Sequence, residues 1–437
     1  MKKTMKNRIL ITLISLVFLG CKGEKKEQII FTEDVENYWN AFDKIITTKD
    51  SVLQLKYLKE EFIDKASIGQ QTMFQVRNYS PEEYIHNINT YPKFWKSVRE
   101  NTIKCKSYKG KISDALRKLK SIYHTPKPAK VYYTMGGFRT NGTVIDSLVL
   151  YGSEMLFLDE NINTSEFKTN HVKNYASTNP IDDIEFTAVH EFVHTQQESF
   201  IGSNLLSACV YEGVAEFTAK VSTGIESPNA CISYGMNNEE IIKDRFQNEM
   251  FGKEYSFWLW NSMENMFDNQ RDLGYFVGYA IAKKFYENYE GGKKDAIKEL
   301  IELQYSNDNE IIKFVDRVKF FDKPMKELQK AYEENRPRII NISSFENLST
   351  SVKPGKHLVK LEFSEEMDTR FRGFDYGPLG ENHVLYITKF IGFSEDSKSV
   401  SFEVDLKPNK RYQMEVKRFR SKRGGEFLPF LIDITTK

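Results

Sequence analysis

"TAVHEFVHTQQ", residues 187–197, places His190 and His194 four residues apart with Glu191 directly after the first. If the stretch is a helix, both histidines project from the same side, and two imidazoles there can share one ion. Glu191 lies about 100° round the helix from His190, beside such an ion and not on it. The preceding residues carry the signals of a helix start. In "STNPIDDIEFTAVHEFVH", residues 177–194, Asn179 is placed to cap and Pro180 to take the first helical position, while Asp182, Asp183 and Glu185 favour the positive end of the dipole. Ile184, Ala188 and Phe192, with Val189 and Val193 alongside, form the stripe predicted to face the core.

A catalytic zinc site needs a third protein ligand and an open fourth position. Downstream stands "YEGVAEF", residues 211–217, in which Glu212 and Glu216 are four apart on a predicted second helix and point the same way. Taken alone, they are explained as well by a pair of surface acids. Beside the histidine motif they read as metal chemistry: Glu212 is the third ligand, and Glu216 accepts the free N–H of a ligating histidine. The expected cofactor is one zinc ion per chain.

An H-E-x-x-H followed at this distance by E-G-x-A-E resembles the gluzincin metallopeptidases, the broad group that includes thermolysin. The stretch "AVHEFVHTQQ", with the upstream "VYYTMGGFRTNGTVIDSLVLYGSEM" and the later "DLGYFVGYAIAKKFY", looks closer still to a family of predicted zinc-dependent proteases found as bacterial lipoproteins. The resemblance spans residues 128 to about 285. It implies His190, His194 and Glu212 as zinc ligands and Glu191 as general base. Two departures qualify it. No stretch resembles the G-x-M-E-N loop of gluzincin aminopeptidases, which argues against N-terminal trimming and for an endopeptidase. After His194 the remaining histidines are His357 and His383, both in what reads as a different domain, so none stands ready to stabilise an oxyanion. Tyr275 and Tyr279 of "GYFVGY" share a helical face and are the candidates for that role. The competing reading is a non-catalytic surface or assembly lipoprotein that uses the helices as scaffold. An intact Glu191 beside intact ligands counts against it, because a scaffold has no need of a base.

The chain begins "MKKTMKNRILITLISLVFLGC", a basic segment and an apolar run from Ile9 to Leu19 that is short for a bilayer span. Its "LVFLGC" end resembles the lipobox of bacterial lipoproteins, with Phe18 at a position where leucine is more usual. This implies cleavage before Cys21, lipidation of Cys21, and residence in the bacterial cell envelope, at the outer membrane or cell surface before the inner membrane. "KGEKKEQ", residues 22–28, reads as a charged tether. The formal net charge of +1 includes Lys2, Lys3, Lys6 and Arg8; without them the chain is net negative, so a nucleic-acid partner has no electrostatic support. The expected partners are a peptide or protein substrate and the membrane. Cys105, Cys209 and Cys231 lack the spacings of a zinc ribbon or redox site, and Cys209 with Cys231 can be a pair or two buried thiols.

From 28 to 123 the apolar spacing predicts helices, as in "VENYWNAFDKII", "LQLKYLKEEFI" and "DALRKLKSIY", with Ser80-Pro81-Glu82-Glu83 as a helix start. "KVYYTM" and "SLVLYG" read as a hairpin or as adjacent strands, with Asn141-Gly142 a turn between them. Residues 148–157 are then either an edge strand that pairs with substrate backbone or a fully paired core strand. Helical spacing returns between 293 and 334, and "NRPRIINIS" marks a boundary. Beyond it five alternating runs predict strands at sandwich-like spacing, and "VKLEFSEEMD" with "LKPNKRYQMEV" resembles bacterial immunoglobulin-like domains. "KRFRSKRGG", residues 417–425, reads as a solvated hairpin loop or as a binder of acidic surface polymer. The expected fold is thus α+β: a signal peptide, 1–21; a mainly helical zincin-like metallopeptidase domain with a small sheet, 22–335; and an all-β Ig-like sandwich, 336–437.

Overall fold

A computed structural model describes residues 29–199, 204–260, 267 and 270–437. The expected signal peptide, the expected lipidation at Cys21 and the segment read as a tether lie outside the described residues. Helices fill the first three quarters of the chain and antiparallel sheets the last, with 47% of residues helical and 17% in strands, so the class is α+β. No described helix is long and apolar enough to cross a membrane.

The predicted helical stripes bury as their periodicity requires. Tyr38, Trp39 and Phe42 of the helix Glu33–Ile45 are buried together with Phe62 and Trp95. Ser80 caps the helix Pro81–Thr90, accepting from Glu83 N at 3.2 Å while the Glu83 carboxylate accepts from Ser80 N at 3.4 Å.

The helical part holds one small sheet. Strand β1 (Ile30–Phe31) pairs with β2 (Lys130–Thr134), and β2 pairs in parallel with β4 (Leu148–Gly152). Strand β3 (Gly142–Ile145) turns back antiparallel along the far side of β4. "KVYYTM" and "SLVLYG" are therefore adjacent strands and not a hairpin. Gly142 opens β3, and the hairpin turn falls at Asp146, whose φ of 52° is left-handed. Because β4 is paired on both sides, the second of the two readings holds there, a fully paired strand, and the edge on this side of the sheet is β3. What stops β2 and releases the chain towards β3 is Gln70, fully buried, whose amide accepts from Met135 N at 2.7 Å and donates to Met135 O at 3.1 Å. Buried Glu154 then takes Gly136 N and Phe138 N at 2.9 and 2.8 Å, fixing the loop that enters β3.

Beyond the helix Met325–Asn335 lie β5 (Ile339–Ser343), β6 (Gly355–Phe363), β7 (Gly373–Asp375), β8 (Ile387–Phe393), β9 (Ser399–Leu406), β10 (Arg411–Lys417) and β11 (Phe430–Thr435). They form two sheets, ordered β5-β6-β9-β8 and β11-β10-β7, and every pairing between these strands is antiparallel. Alternate residues such as Val359, Leu361 and Phe363 on β6, and Tyr412, Met414 and Val416 on β10, join one apolar core separate from that of the helices.

"KRFRSKRGG" is not a free basic loop. Lys422 and Arg423 pair with Glu366 and Glu365, and Lys417 with Glu415 and Asp375. Arg420 is buried against the carboxylate of Glu249 in the helical part, which also holds Arg245 and accepts from Trp258 Nε1 at 3.3 Å. Removing one partner of a buried pair strands the other charge. Arg420→Ala is expected to destabilise the protein by about 3 kcal/mol, read as a lowered urea midpoint, with faster proteolysis between residues 335 and 339. An unchanged midpoint would show that Arg245 alone satisfies Glu249.

Candidate metal centre

Three helices build the centre: α1 (Ile184–His194), α2 (Leu205–Thr223) and α3 (Leu273–Glu287). The core stripe of α1 is as expected, with Ile184, Ala188, Val189, Phe192 and Val193 all buried. Its start differs. Pro180–Asp183 is a 3-10 turn, and Asn179 sits in the left-handed region (φ 51°), so its side chain accepts from Glu160 N at 2.9 Å and caps nothing on its own helix. Helices α2 and α3 cross with their backbones in contact. A Cβ at Gly213 would stand 2.1 Å from backbone atoms of Gly278 and Tyr279, and one at Gly278 would stand 1.7 Å from Cys209 O. Only glycine permits that approach, and it carries Tyr275 of α3 up to the histidines of α1.

His190 Nε2 and His194 Nε2 are 3.1 Å apart, and Glu212 Oε2 lies 3.6 Å from the first and 3.2 Å from the second. All three residues are buried, and among the described residues they are the His/Cys/Asp/Glu group close enough to hold an ion. Zinc bonds of about 2.0–2.2 Å at tetrahedral angles put neighbouring donors about 3.3–3.6 Å apart. The His190–Glu212 separation falls in that range and the other two fall slightly below it. Two imidazoles and a carboxylate suit zinc, whereas calcium and magnesium take oxygen donors.

Each histidine is oriented from behind. His190 Nδ1 lies 2.8 Å from Glu216 Oε2, which turns Nε2 and its lone pair to the centre. Glu216 is fully buried, and its other oxygen accepts from Ser227 Oγ and, at 2.8 Å, from Asn229 Nδ2. His194 Nδ1 is 2.7 Å from Gln197 Oε1, and the Gln197 amide donates to Tyr211 O at 2.9 Å. The Tyr211 ring stacks on His194 with centroids 4.4 Å apart. Burial opposes a charge on His190, yet Glu212 and Glu216 hold its imidazole well above the ordinary range. Burial would also raise Glu212, but His194 and His190 bring its carboxyl down to about 2. The centre is a place made for positive charge between two anions.

Glu191 stays off the ligand group. Its carboxylate lies against β3, where a Cβ at Gly142 would be only 2.8 Å from Oε1. Burial pushes its carboxyl up, against the pull of His190 and His194. Of the two tyrosine candidates, Tyr275 is at the centre: its ring is 6.2 Å from that of His190 and its hydroxyl accepts from Trp260 Nε1 at 3.1 Å. Tyr279 is not. Its buried ring packs edge-on against Phe217 of α2, one turn further along. Sequence reasoning missed Gln197, Tyr211, Ser227 and Asn229. Only Gln197 left a signal, as an amide three residues after a candidate ligand. Cys105, Cys209 and Cys231 are free and buried.

No known family and no curated protein matches the chain. Among solved structures, the S-layer protein rSbsC(31-844) is 13% identical over 75% of this chain and 45% of that one, with a TM-score of 0.18. Domains 1–6 of the surface layer protein SbsC give 12%, the same coverage and the same score. The N-terminal part of the bacterial S-layer protein SbsC gives 15% over 75% of this chain and 78% of that one, also at 0.18. The chain thus spans less than half the length of the first two. Superposition this loose carries no fold or function across.

Proposed function

We propose that the chain is a zinc-dependent peptidase of gluzincin type, anchored in the bacterial envelope through Cys21 and carrying an Ig-like sandwich after its zincin-like domain. The reading rests on one observation above the others: His190, His194 and Glu212 offer buried donors at the spacing of one zinc ion, with Glu191 held beside them and not among them. Zinc, when bound by these three residues, supplies a Lewis acid that makes water a nucleophile near neutral pH.

The chain's own groups do the rest. Extended peptide lies along the free edge of β3, whose backbone N–H and C=O groups need no particular side chain to pair. Glu191 takes a proton from the water that attacks the peptide carbonyl, and returns it to the amine nitrogen as the C–N bond breaks. Tyr275 donates to the carbonyl oxygen as that oxygen gains charge. Glu216 and Gln197 keep the imidazoles in the tautomer that faces the ion.

Elemental analysis of the purified mature protein tests the reading. About one tightly held zinc per chain is expected, lost when His190 or His194 is replaced by Ala. A full chain that binds no zinc, or binds it equally well without either histidine, overturns it.

A further inference from the structure

Arg77 closes the helix Ile68–Arg77, far in sequence from the motif helix, and reaches the turn that leads into β3. Its Nη2 donates to Thr140 Oγ1 at 3.2 Å, and the Thr140 hydroxyl in turn donates to the carbonyl of Gly142, the residue against which Glu191 lies. The guanidinium therefore stands at the Gly142 end of the free edge of β3, on the segment against which Glu191 lies.

Its bonding is incomplete. Arg99, Arg117, Arg139, Arg245, Arg271 and Arg317 each have a carboxylate partner, while Arg77, alone among the described arginines before residue 336, has none. A guanidinium carries five N–H donors, and here Thr140 takes one while Nε is enclosed without an acceptor. The side chain is only half buried. The guanidinium thus keeps donors open to an incoming acceptor, and Arg is the side chain whose planar fork matches a carboxylate.

We propose that Arg77 binds a carboxylate of the peptide substrate beside the scissile bond, so that this site selects acidic peptides. The inference rests on the peptidase reading. A peptide laid along β3 with its scissile carbonyl at the His190–His194–Glu212 group passes the guanidinium at the Gly142 end. The carboxylate comes from an Asp or Glu side chain or from the peptide's own C-terminus; the chemistry is the same.

The test uses zinc-loaded full-length mature protein and matched peptides: Glu against Gln at each position flanking the cleaved bond, and C-terminal acid against amide. One position, or the C-terminal acid, is expected to raise kcat/KM by about 10- to 100-fold, mainly through KM, the size of a charge-assisted hydrogen bond out of full solvent. Which arm responds identifies the source of the carboxylate. Arg77→Gln should collapse that ratio towards one, and Arg77→Glu should reverse it towards Lys-bearing peptides. Arg77→Lys keeps the charge without the fork and should retain part of the ratio; if Arg77→Gln fails to fold, as judged by its melting curve, this variant decides. An unchanged ratio, or an equal fall in kcat for acidic and neutral peptides, overturns the proposal and assigns Arg77 to Glu191 or to the turn at Thr140. Cleavage without acidic preference sinks this inference and leaves the peptidase reading standing, whereas no cleavage of any peptide sinks both.

Discussion

Glu191→Gln is expected to keep its zinc and lose nearly all hydrolysis. The amide has almost the shape of the carboxylate, so the close contact with Gly142 and the packing of α1 survive, and His190, His194 and Glu212 are untouched. The amide nitrogen and oxygen cannot accept a proton from water at neutral pH, and loss of a general base typically costs about 10²–10⁴-fold in rate. Zinc content should match the wild type, with cleavage of an unfolded protein such as casein, or of any peptide the wild type cuts, reduced to near background. A variant with full zinc and full activity removes Glu191 from the reaction.

The second large effect separates the two glutamates of α2. Glu212→Gln replaces the anionic member of the donor set, and most of the metal should be lost at concentrations that saturate the wild type. Glu216→Gln leaves the donors in place. It puts an amide where one buried oxygen faces His190 Nδ1 at 2.8 Å and the other accepts from Ser227 and Asn229, so one of those groups meets an N–H or the amide turns the wrong end to His190. Weakening of zinc affinity by about 10–100-fold is expected, measured by competition with a chromophoric chelator. Near-complete loss at 216 with retention at 212 reverses the two roles.

Both predictions began as spacings in the sequence, and the contrast between what those spacings carried and what they did not is physical. His190 with His194, and Glu212 with Glu216, could be paired by reading alone because residues four apart share a face in any α-helix, whatever surrounds it. The helix start at Ser80 was legible for the same reason: its cap bonds close within four residues. Asn179 misled because capping depends on the backbone region of the cap residue, and Asn179 lies in left-handed geometry with its side chain turned to Glu160 N. Tyr275 and Tyr279 share a face of α3 as read, but the face is long. The Gly213–Gly278 crossing brings the first to His190 and packs the second on Phe217.

Sequence by itself determined the groups on offer: two imidazoles with a carboxylate beside them and two further carboxylates, each pair on its own helix, in a chain whose helical and strand periodicities fall in separate blocks. Tertiary structure alone decided how the pairs meet. It set Glu212 at the two Nε2 atoms and Glu216 at His190 Nδ1, supplied Gln197, Ser227 and Asn229 behind them, and left β3 as the edge beyond β4 by pairing β4 on both sides. It also carried Arg77 to the end of that edge and Arg420 into the helical part. The reason is range. A helix repeats every 3.6 residues by backbone geometry that any sequence window exposes, whereas these contacts close between elements whose separation in the chain encodes nothing about their distance in space.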